Sequence, residues 1–449
     1  MYRISLILLV ILLFFSPPVA GEEAPVLAQM PTLNQTHIVF VFAGDLWKVS
    51  REGGAALRLT SSSGSEVYPK FSPDGSMIAF SGVYDGNMDI YLIPAKGGIP
   101  ERITWHPSAD IVLGWTPNGK EILFSSSRTA YSRFNELFTI SLEGGLPEKL
   151  LLPMGFEGSY SPDGENIAYV PLSRAFRVWK RYRGGLATPV WIADLSDSSI
   201  YKVPRQDSND FNPMWVEDKV YFLSDREGPV TLFAFDTHTK NVTKIVENSG
   251  LDLKSASAWT DSIVYEQFGS LHLIDLESGK NQKISVSITG DMAEVRDKYV
   301  NVGSQLGSPS LSPNAVRAVF QARGDILSVP AEKGDYRNLT HTSGVMERYP
   351  SWSPDGQKIA YFSDESGEYM LHIQSQKGTG EITRISLDKN PSYYYLPRWS
   401  PDNKKIAYVD CHLTLWYVDL EMKKPIKVDK DRFLGGTYDL IPSWSPDSK

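Results

Sequence analysis

The densest group of chemically active side chains in this sequence is a basic segment at residues 174–185, RAFRVWKRYRGG. It carries five positive charges within about ten residues, although the chain of 449 residues has a formal net charge of −8. Arginine presents a planar fork of N–H donors that matches a carboxylate. The segment, with Arg181 and Arg183 near its end, therefore predicts an anion site, for example for the C-terminal carboxylate of a peptide. The alternative is a solvated loop whose aromatic residues pack on a neighbouring element.

Motifs for catalysis or for a metal are not found. The sequence has no G-x-S-x-G elbow and no H-E-x-x-H helix, and its seven histidines lack ligand spacing. Asp85 and Asp89 resemble the start of a calcium loop, but Ile90 and Lys96 stand where an EF-hand needs Gly and Glu. We expect no cofactor, no metal and no hydrolysis by this chain alone. The acidic balance also argues against a nucleic-acid partner.

A repeated unit must position these side chains. Its clearest copy is YPSWSPDGQKIAY at residues 349–361, where Ser-Pro-Asp-Gly predicts a type I turn and the alternating residues around it predict two strands. The large aromatic or leucine residue directly before the turn is the anchor of each repeat. These residues recur about 41 to 55 residues apart, a period typical of a four-stranded propeller blade. A close copy starts at Tyr68 and has Phe71 as its anchor, and further copies carry an aromatic or leucine anchor at Trp115, Tyr160, Leu311, Trp399 and Trp444. Trp215 and Trp259 stand at the same point of repeats whose turns are less well kept.

The count of repeats predicts an all-β chain with four antiparallel strands per blade. Residues 30–303 are expected to form a six-bladed β-propeller. Residues 304–449 are expected to form an incomplete second β-propeller, with about three blades of a seven-bladed type. The first repeat, which starts at Pro31, supplies its own innermost strand, so we expect a ring that no exchanged strand closes. Because a tenth repeat starts and stops at Lys449, we expect a truncated second domain.

The N-terminus has the pattern of a secretory signal. A short basic start is followed by an apolar run of about 12 residues and by small residues up to Gly21. This predicts a signal peptide at residues 1–21, a linker at residues 22–29 and export to the periplasm or the extracellular space. The rival interpretation is a membrane anchor, but a span needs ~20 apolar residues. Cys411, the only cysteine, excludes an intrachain disulfide and is predicted to be buried on a strand, facing away from His412.

Several long strings resemble the N-terminal part of the tricorn protease family. They are GDLWKVSREGG at residues 44–54, WKRYRGG at 179–185, VFQARGDILSVPAEKGDYRNLT at 319–340 and SPDGQKIAYFSDESGEY at 353–369. The resemblance implies a six-bladed and then a seven-bladed propeller, followed by a helical region, a PDZ domain and a serine peptidase domain. It also implies that the propellers channel and filter oligopeptides, and that basic residues of the first ring hold the substrate carboxylate. The loop that we match to that role contains Arg128 and Arg133, so the candidate anchors are Arg128, Arg133, Arg181 and Arg183.

The favoured function is therefore the non-catalytic N-terminal propeller portion of an exported tricorn-like serine peptidase. The implied partners are oligopeptide substrates and the C-terminal peptidase and PDZ domains of the same full-length chain, which is expected to be a homo-oligomer. No membrane span is expected after signal cleavage. Archaeal tricorn is cytosolic, so the signal peptide favours an envelope peptidase instead. The alternatives are a TolB-like envelope propeller that scaffolds proteins and the propeller of a prolyl-oligopeptidase-like enzyme.

Overall fold

The computed structural model describes residues 26–130, 134–173, 180–290, 292, 295, 296, 298–389, 392–431 and 440–448. The predicted signal peptide, residues 1–21, and residues 22–25 of the predicted linker lie outside the described residues. Regular structure in the described part is β-strand, apart from a short 3-10 turn at Gly303–Gln305. In these ranges no helix has the length and apolar character that crossing a membrane requires.

Nine four-stranded antiparallel sheets follow one another along the described residues, and each is built from strands that are close in sequence. Sheet 1 consists of β1 (Gln29–Leu33), β2 (His37–Phe42), β3 (Asp45–Ser50) and β5 (Leu57–Arg58), and β4 (Gly54–Ala55) lies between the last two in sequence. Sheet 2 consists of β6 (Glu66–Phe71), β7 (Met77–Gly82), β8 (Asp89–Pro94) and β9 (Glu101–Arg102). Sheet 3 consists of β10 (Asp110–Trp115), β11 (Glu121–Ser126), β12 (Glu136–Ser141) and β13 (Glu148–Lys149).

The next three sheets repeat this order. Sheet 4 consists of β14 (Glu157–Tyr160), β15 (Asn166–Val170), β16 (Trp191–Asp194) and β17 (Ile200–Lys202). Sheet 5 consists of β18 (Asp210–Val216), β19 (Lys219–Ser224), β20 (Thr231–Asp236) and β21 (Val242–Lys244). Sheet 6 consists of β22 (Leu253–Ala258), β23 (Ser262–Gln267), β24 (Ser270–Asp275) and β25 (Asn281–Ile284), and β26 (Val286–Ser287) follows it.

The last three sheets keep the same plan. Sheet 7 consists of β27 (Gly307–Leu311), β28 (Arg317–Ala322), β29 (Asp325–Pro330) and β30 (Arg337–Asn338). Sheet 8 consists of β31 (Glu347–Trp352), β32 (Lys358–Ser363), β33 (Met370–Ser375) and β34 (Thr383–Ile385). Sheet 9 consists of β35 (Tyr394–Trp399), β36 (Lys405–Asp410), β37 (Thr414–Asp419) and β38 (Lys424–Lys430).

The Ser-Pro-Asp-Gly turn joins the first two strands of a sheet, as its sequence predicts. In sheet 8 the Gly356 N–H donates to the Ser353 carbonyl at 2.9 Å, and the Ser353 hydroxyl donates to Asp355 at 2.6 Å. The same hydroxyl accepts the Lys358 N–H at 2.9 Å, which fixes the start of β32. Gly356 has a φ of 71°, a left-handed conformation that favours glycine. The turn therefore sets the register of the first hairpin in each sheet that carries it.

A second local motif ties the third strand to the fourth. Asp89, the first residue of β8, accepts a hydrogen bond from Arg102 at 2.7 Å. The Thr104 hydroxyl accepts the backbone N–H of Ile90 at 3.0 Å. These two contacts explain why the end of a repeat carries a basic residue, an apolar residue and Thr in sequence, as in Arg102-Ile103-Thr104. Sheet 1 uses Asp45, Arg58 and Thr60 in the same way.

The first six sheets pack side by side, and the sixth returns to the first. The first strands contact one another in chain order, and β1 also contacts β22 and β23. Sheet 1 contains its own innermost strand, because β1 pairs with β2. Two further contacts join the terminal sheets: β26 pairs in parallel with β4, and Arg51 lies 3.2 Å from Asp261. Among the residues that the structure describes no innermost strand is exchanged, but these contacts join the two ends that we expected to be unclasped.

Sheets 7, 8 and 9 form a second group. Strand β31 contacts both β27 and β35. The Trp399 indole donates to the Ser351 carbonyl at 3.1 Å, and the Trp444 indole donates to the Arg398 carbonyl at 2.9 Å. Trp444 therefore packs on sheet 9 in the way that Trp399 packs on sheet 8. At the other end of the group Leu311, the anchor of sheet 7, is 68% exposed.

Candidate functional site

A tunnel runs between the first strands of sheets 1 to 6. It consists of two cavities, and both are bounded by residues of all six strands β1, β6, β10, β14, β18 and β22 or of the turns that follow them. The wider cavity lies towards the turns and has a volume of about 470 Å³. Its wall includes Trp115, Trp215 and Trp259 together with Pro73 and Pro117. This end of the tunnel offers aromatic and apolar surface to a bound chain.

The other end of the tunnel is narrower and charged. It has a volume of about 190 Å³, and Lys70, Glu157 and Lys254 contribute to its wall. Burial lowers the pKa of Lys70 to about 8, against the opposing effect of the nearby Glu157 carboxylate. Glu157 also accepts the backbone N–H of Asn212. Two ammonium groups and one carboxylate thus line the narrow end, although the chain is acidic overall.

Lys70 and Lys254 were not among the site residues predicted from the sequence. Lys70 stands directly before the anchor Phe71 on β6, whose residues alternate in burial, and Lys254 lies on β22. The innermost strand of each propeller sheet borders the central channel, so a charged residue on that strand can reach the tunnel. A lysine within the first strand of a repeat, as in β6 and β22, was the available signal.

Arg128, one of the predicted carboxylate anchors, has a carboxylate partner within its own sheet. It forms an ion pair with Asp110, and its guanidinium lies 4.9 Å from the Phe124 ring centre and 5.5 Å from that of Phe138. The Arg128 side chain is 9% exposed and the Asp110 side chain is fully buried. Sheet 5 repeats the arrangement with Arg226, Asp210, Phe222 and Phe233. A recurring contact of this kind stabilises the blade. Arg133, the other anchor predicted in this loop, lies outside the described residues.

The end of the basic segment, residues 180–183, reaches three different sheets. Lys180 lies 2.7 Å from Glu368, and Arg181 lies 3.5 Å from the same carboxylate. Arg183 donates to the Asp225 side chain at 2.8 Å and to its carbonyl at 3.0 Å. The segment therefore does bind carboxylates, and the ones that it contacts here belong to the chain itself. Arg128, Arg181 and Arg183 each have a separate acidic partner and do not share one site.

Cys411 lies in a turn and not on a strand, which corrects the prediction made for it. It follows β36, and it is half-buried. Burial raises the pKa of the Cys411 thiol, but the hydrogen bond and the charge of His412 outweigh this effect and lower the pKa below its ordinary value. The two side chains contact each other because the Asp410 carboxylate accepts the backbone N–H groups of His412 and Thr414, both at 2.9 Å, and bends the chain.

Comparison with known proteins agrees with this architecture. Residues 25–280 match the family model described as the tricorn protease N-terminal beta propeller domain, and residues 276–449 match the TolB beta propeller domain. A tricorn protease homolog of Streptomyces coelicolor is 27% identical over 366 residues, covering 80% of this chain and 34% of that protein. A tricorn protease homolog of Saccharolobus solfataricus is 26% identical over 426 residues, covering 93% of this chain and 38% of that protein.

The structural comparison gives the same fold. The crystal structure of the tricorn protease aligns with 95% of this chain and 41% of its own, with a TM-score of 0.55 and 20% sequence identity. The chain thus spans between a third and about two fifths of the length of these proteins. Since the first family model covers more than half of the chain, this protein belongs to the family of tricorn protease N-terminal β-propeller domains.

Proposed function

We propose that this chain is the non-catalytic N-terminal portion of an exported tricorn-like serine peptidase, and that it channels and filters oligopeptides. In this proposal sheets 1 to 6 form a complete six-bladed propeller, and sheets 7 to 9 are the first part of a second propeller of the seven-bladed type. A peptidase domain and a PDZ domain of the same full-length chain supply the chemistry. The assembled protein is a homo-oligomer, and the sequence of residues 1–21 directs it out of the cytoplasm.

The observation that carries the proposal is the tunnel between the six innermost strands. A wide aromatic end and a narrow end with two lysines adjoin each other, because Lys70, Leu113, Gly158 and Pro213 belong to the walls of both cavities. A peptide needs apolar surface for its side chains and cationic groups for its C-terminal carboxylate. The family supports the same interpretation, since the chain matches tricorn protease homologs over most of its own length.

The arginines that were predicted to bind a substrate carboxylate enter this proposal in a modified form. Binding of a substrate carboxylate by Arg181 or Arg183 requires that Glu368 or Asp225 gives up its place. Binding by Arg128 requires the same of Asp110. The anchors are therefore proposed as exchange sites, and the lysines of the tunnel as the cations that line the path itself.

A tunnel-filling substitution tests the proposal. Gly114 lines the wide cavity, and a side chain added there meets no heavy atom within 4 Å, so Gly114→Trp fills the passage without a clash at Cβ. In the full-length protein we expect this variant to lower kcat/KM for an oligopeptide at least about tenfold, a barrier increase of about 1.4 kcal/mol. Leu146→Trp is the control, because it places the same side chain on the surface: Leu146 is 94% exposed and is not among the residues of the tunnel wall. Equal activity of the two variants would contradict channelling through this tunnel.

A second candidate function is a TolB-like scaffold that binds proteins. The observation in its favour is the match of residues 276–449 to the TolB beta propeller domain. The full-length protein separates the two candidates. Peptide hydrolysis that a serine-directed inhibitor abolishes supports the peptidase, and a full-length protein without such activity favours the scaffold.

A further inference from the structure

The last residues of the basic segment connect the two groups of sheets. The Lys180 ammonium donates to the Glu368 carboxylate at 2.7 Å and to the Gly367 carbonyl at 2.6 Å. The Arg181 guanidinium lies 3.5 Å from the second oxygen of Glu368. Lys180 follows sheet 4's second strand, whereas Glu368 lies in the loop between β32 and β33 of sheet 8. These contacts therefore cross from the first six sheets to the second group.

The charges of this contact are balanced and largely removed from water. The Lys180 and Arg181 side chains are each 13% exposed, and the Glu368 side chain is 20% exposed. Lys180 also lies 3.7 Å from Asp252, whose side chain is 9% exposed and accepts the Val230 N–H at 2.8 Å. Two cations thus face two carboxylates, one from each group of sheets. Ion pairs that are this well shielded are screened by salt much less than surface pairs.

Shape complementarity accompanies the charges. Leu251 packs against Gly367, where an added Cβ would lie 1.7 Å from a Leu251 methyl carbon, so a side chain at position 367 would require Leu251 to move. Leu27 packs in the same way against Gly344, where an added Cβ would lie 3.4 Å from a Leu27 methyl carbon. Leu27 and Leu251 lie two residues before β1 and β22, and the starts of those strands line the narrow end of the tunnel. The contact between the groups is therefore at the narrow end.

We propose that Lys180 and Arg181 form an electrostatic clasp on Glu368, and that this clasp holds the second group of sheets in one orientation at the narrow end of the tunnel. Glu368 contacts Lys180 and Arg181 as the carboxylate of a ligand would. These two residues are then a docking site within the chain, and their partner is the β32–β33 loop of sheet 8. Only the consequence for peptide passage rests on the proposed function, since the clasp itself is a property of the chain.

A double-mutant cycle on the whole chain tests the clasp. The single variants are Lys180→Met, which keeps the apolar stem, and Glu368→Gln, which keeps the shape of the side chain. We expect each to raise deuterium exchange of the peptide that covers residues 364–369 roughly tenfold, as expected for the loss of one partner of a shielded pair. The double variant should add little to the effect of either single variant. The radius of gyration from X-ray scattering should rise in the single variants and should rise no further in the double variant.

The same loop provides the control. Glu365 lies in the loop between β32 and β33 but pairs with Arg384 of its own sheet at 2.8 Å, and both side chains are more than a third exposed. Glu365→Gln therefore changes the same charge in the same loop without touching the clasp. Effects of Lys180→Met and Glu368→Gln that are additive, or no larger than that of Glu365→Gln, would overturn the proposal. Because these measurements need no catalysis, their outcome is independent of the peptidase assay.

Discussion

Glu347 provides the sharpest stability prediction of the structure. It is the first residue of β31, and it is 2% exposed. One carboxylate oxygen accepts hydrogen bonds from the Thr342 and Ser363 hydroxyls at 2.6 and 3.4 Å. The other oxygen is buried and has no hydrogen-bond partner among the described residues. Burial of the charged form therefore raises the pKa of Glu347 from 4.5 to about 7.

The size of the effect follows from that pKa. A pKa difference of about 2.5 corresponds to roughly 3 kcal/mol of unfolding free energy, since each tenfold change in proton affinity is about 1.4 kcal/mol. The folded chain binds the proton more tightly than the unfolded chain does. The stabilisation is therefore present at acidic pH and is lost as the pH rises through about 7. Integration of this titration places about 2.5 kcal/mol of the loss between pH 5 and pH 8.5.

Glu347→Gln removes the titration and keeps the shape of the side chain. We expect the variant to gain about 2.5 kcal/mol relative to the wild type as the pH rises from 5 to 8.5. The protein is equilibrated with urea at each pH and is then labelled with a deuterium pulse at one fixed pH. Mass spectrometry of peptides from sheet 8 measures the unfolded fraction and therefore this difference in free energy. Comparison with the wild type cancels other displaced groups, such as Asp45 and His372. If the pH dependence of Glu347→Gln matched that of the exposed control Glu365→Gln and of the wild type, the neutral state of Glu347 would be refuted.

Two further predictions concern Arg128 and the two groups of sheets. Arg128→Ala should lower the unfolding free energy by about 3 kcal/mol, because it leaves the fully buried Asp110 without its cation, and the double variant with Asp110→Ala should recover part of the loss. Urea denaturation measures both values, and a loss near zero in Arg128→Ala would show that the pair is dispensable. Limited proteolysis should leave a protected core that ends near residue 300, because sheets 1 to 6 contact neighbours on both sides, whereas Leu311 of sheet 7 and Met422 in the turn between β37 and β38 are 68% and 62% exposed. Equal protection of Trp352, Trp399 and Trp444 would contradict this.

The local features of the fold were predictable from sequence because short-range contacts produce them. The Ser353 hydroxyl bonds to Asp355 and to Lys358, so the type I turn is determined by six consecutive residues. The ion pair between Arg102 and Asp89 spans 13 residues within one sheet, and the same spacing recurs in sheet 1. Each repeat contains both partners of its turn hydrogen bonds and of its ion pair. These contacts can therefore be predicted from the sequence of a single copy.

The partners of the cationic residues were not predictable in the same way. Arg183 pairs with Asp225, 42 residues away, and Arg181 pairs with Glu368, 187 residues away. Such pairings depend on how blades and groups of sheets meet, which a repeat pattern does not specify. Cys411 shows the same limit at short range. A strand pattern predicted that it faces away from His412, but two hydrogen bonds to Asp410 turn the chain at that point.

The arrangement of charges also ranks the candidate anchors. Exchange of partner at Arg128 would leave Asp110, which is fully buried, without compensation, and a buried unpaired charge costs about 3–5 kcal/mol. Exchange at Arg183 meets a similar obstacle, because the Asp225 side chain is 4% exposed, although Asn209 donates to it as well. Glu368 is 20% exposed and can be solvated after release. Of Arg128, Arg181 and Arg183, Arg181 therefore accepts an external carboxylate at the lowest cost, and the same exchange would open the clasp between the two groups of sheets.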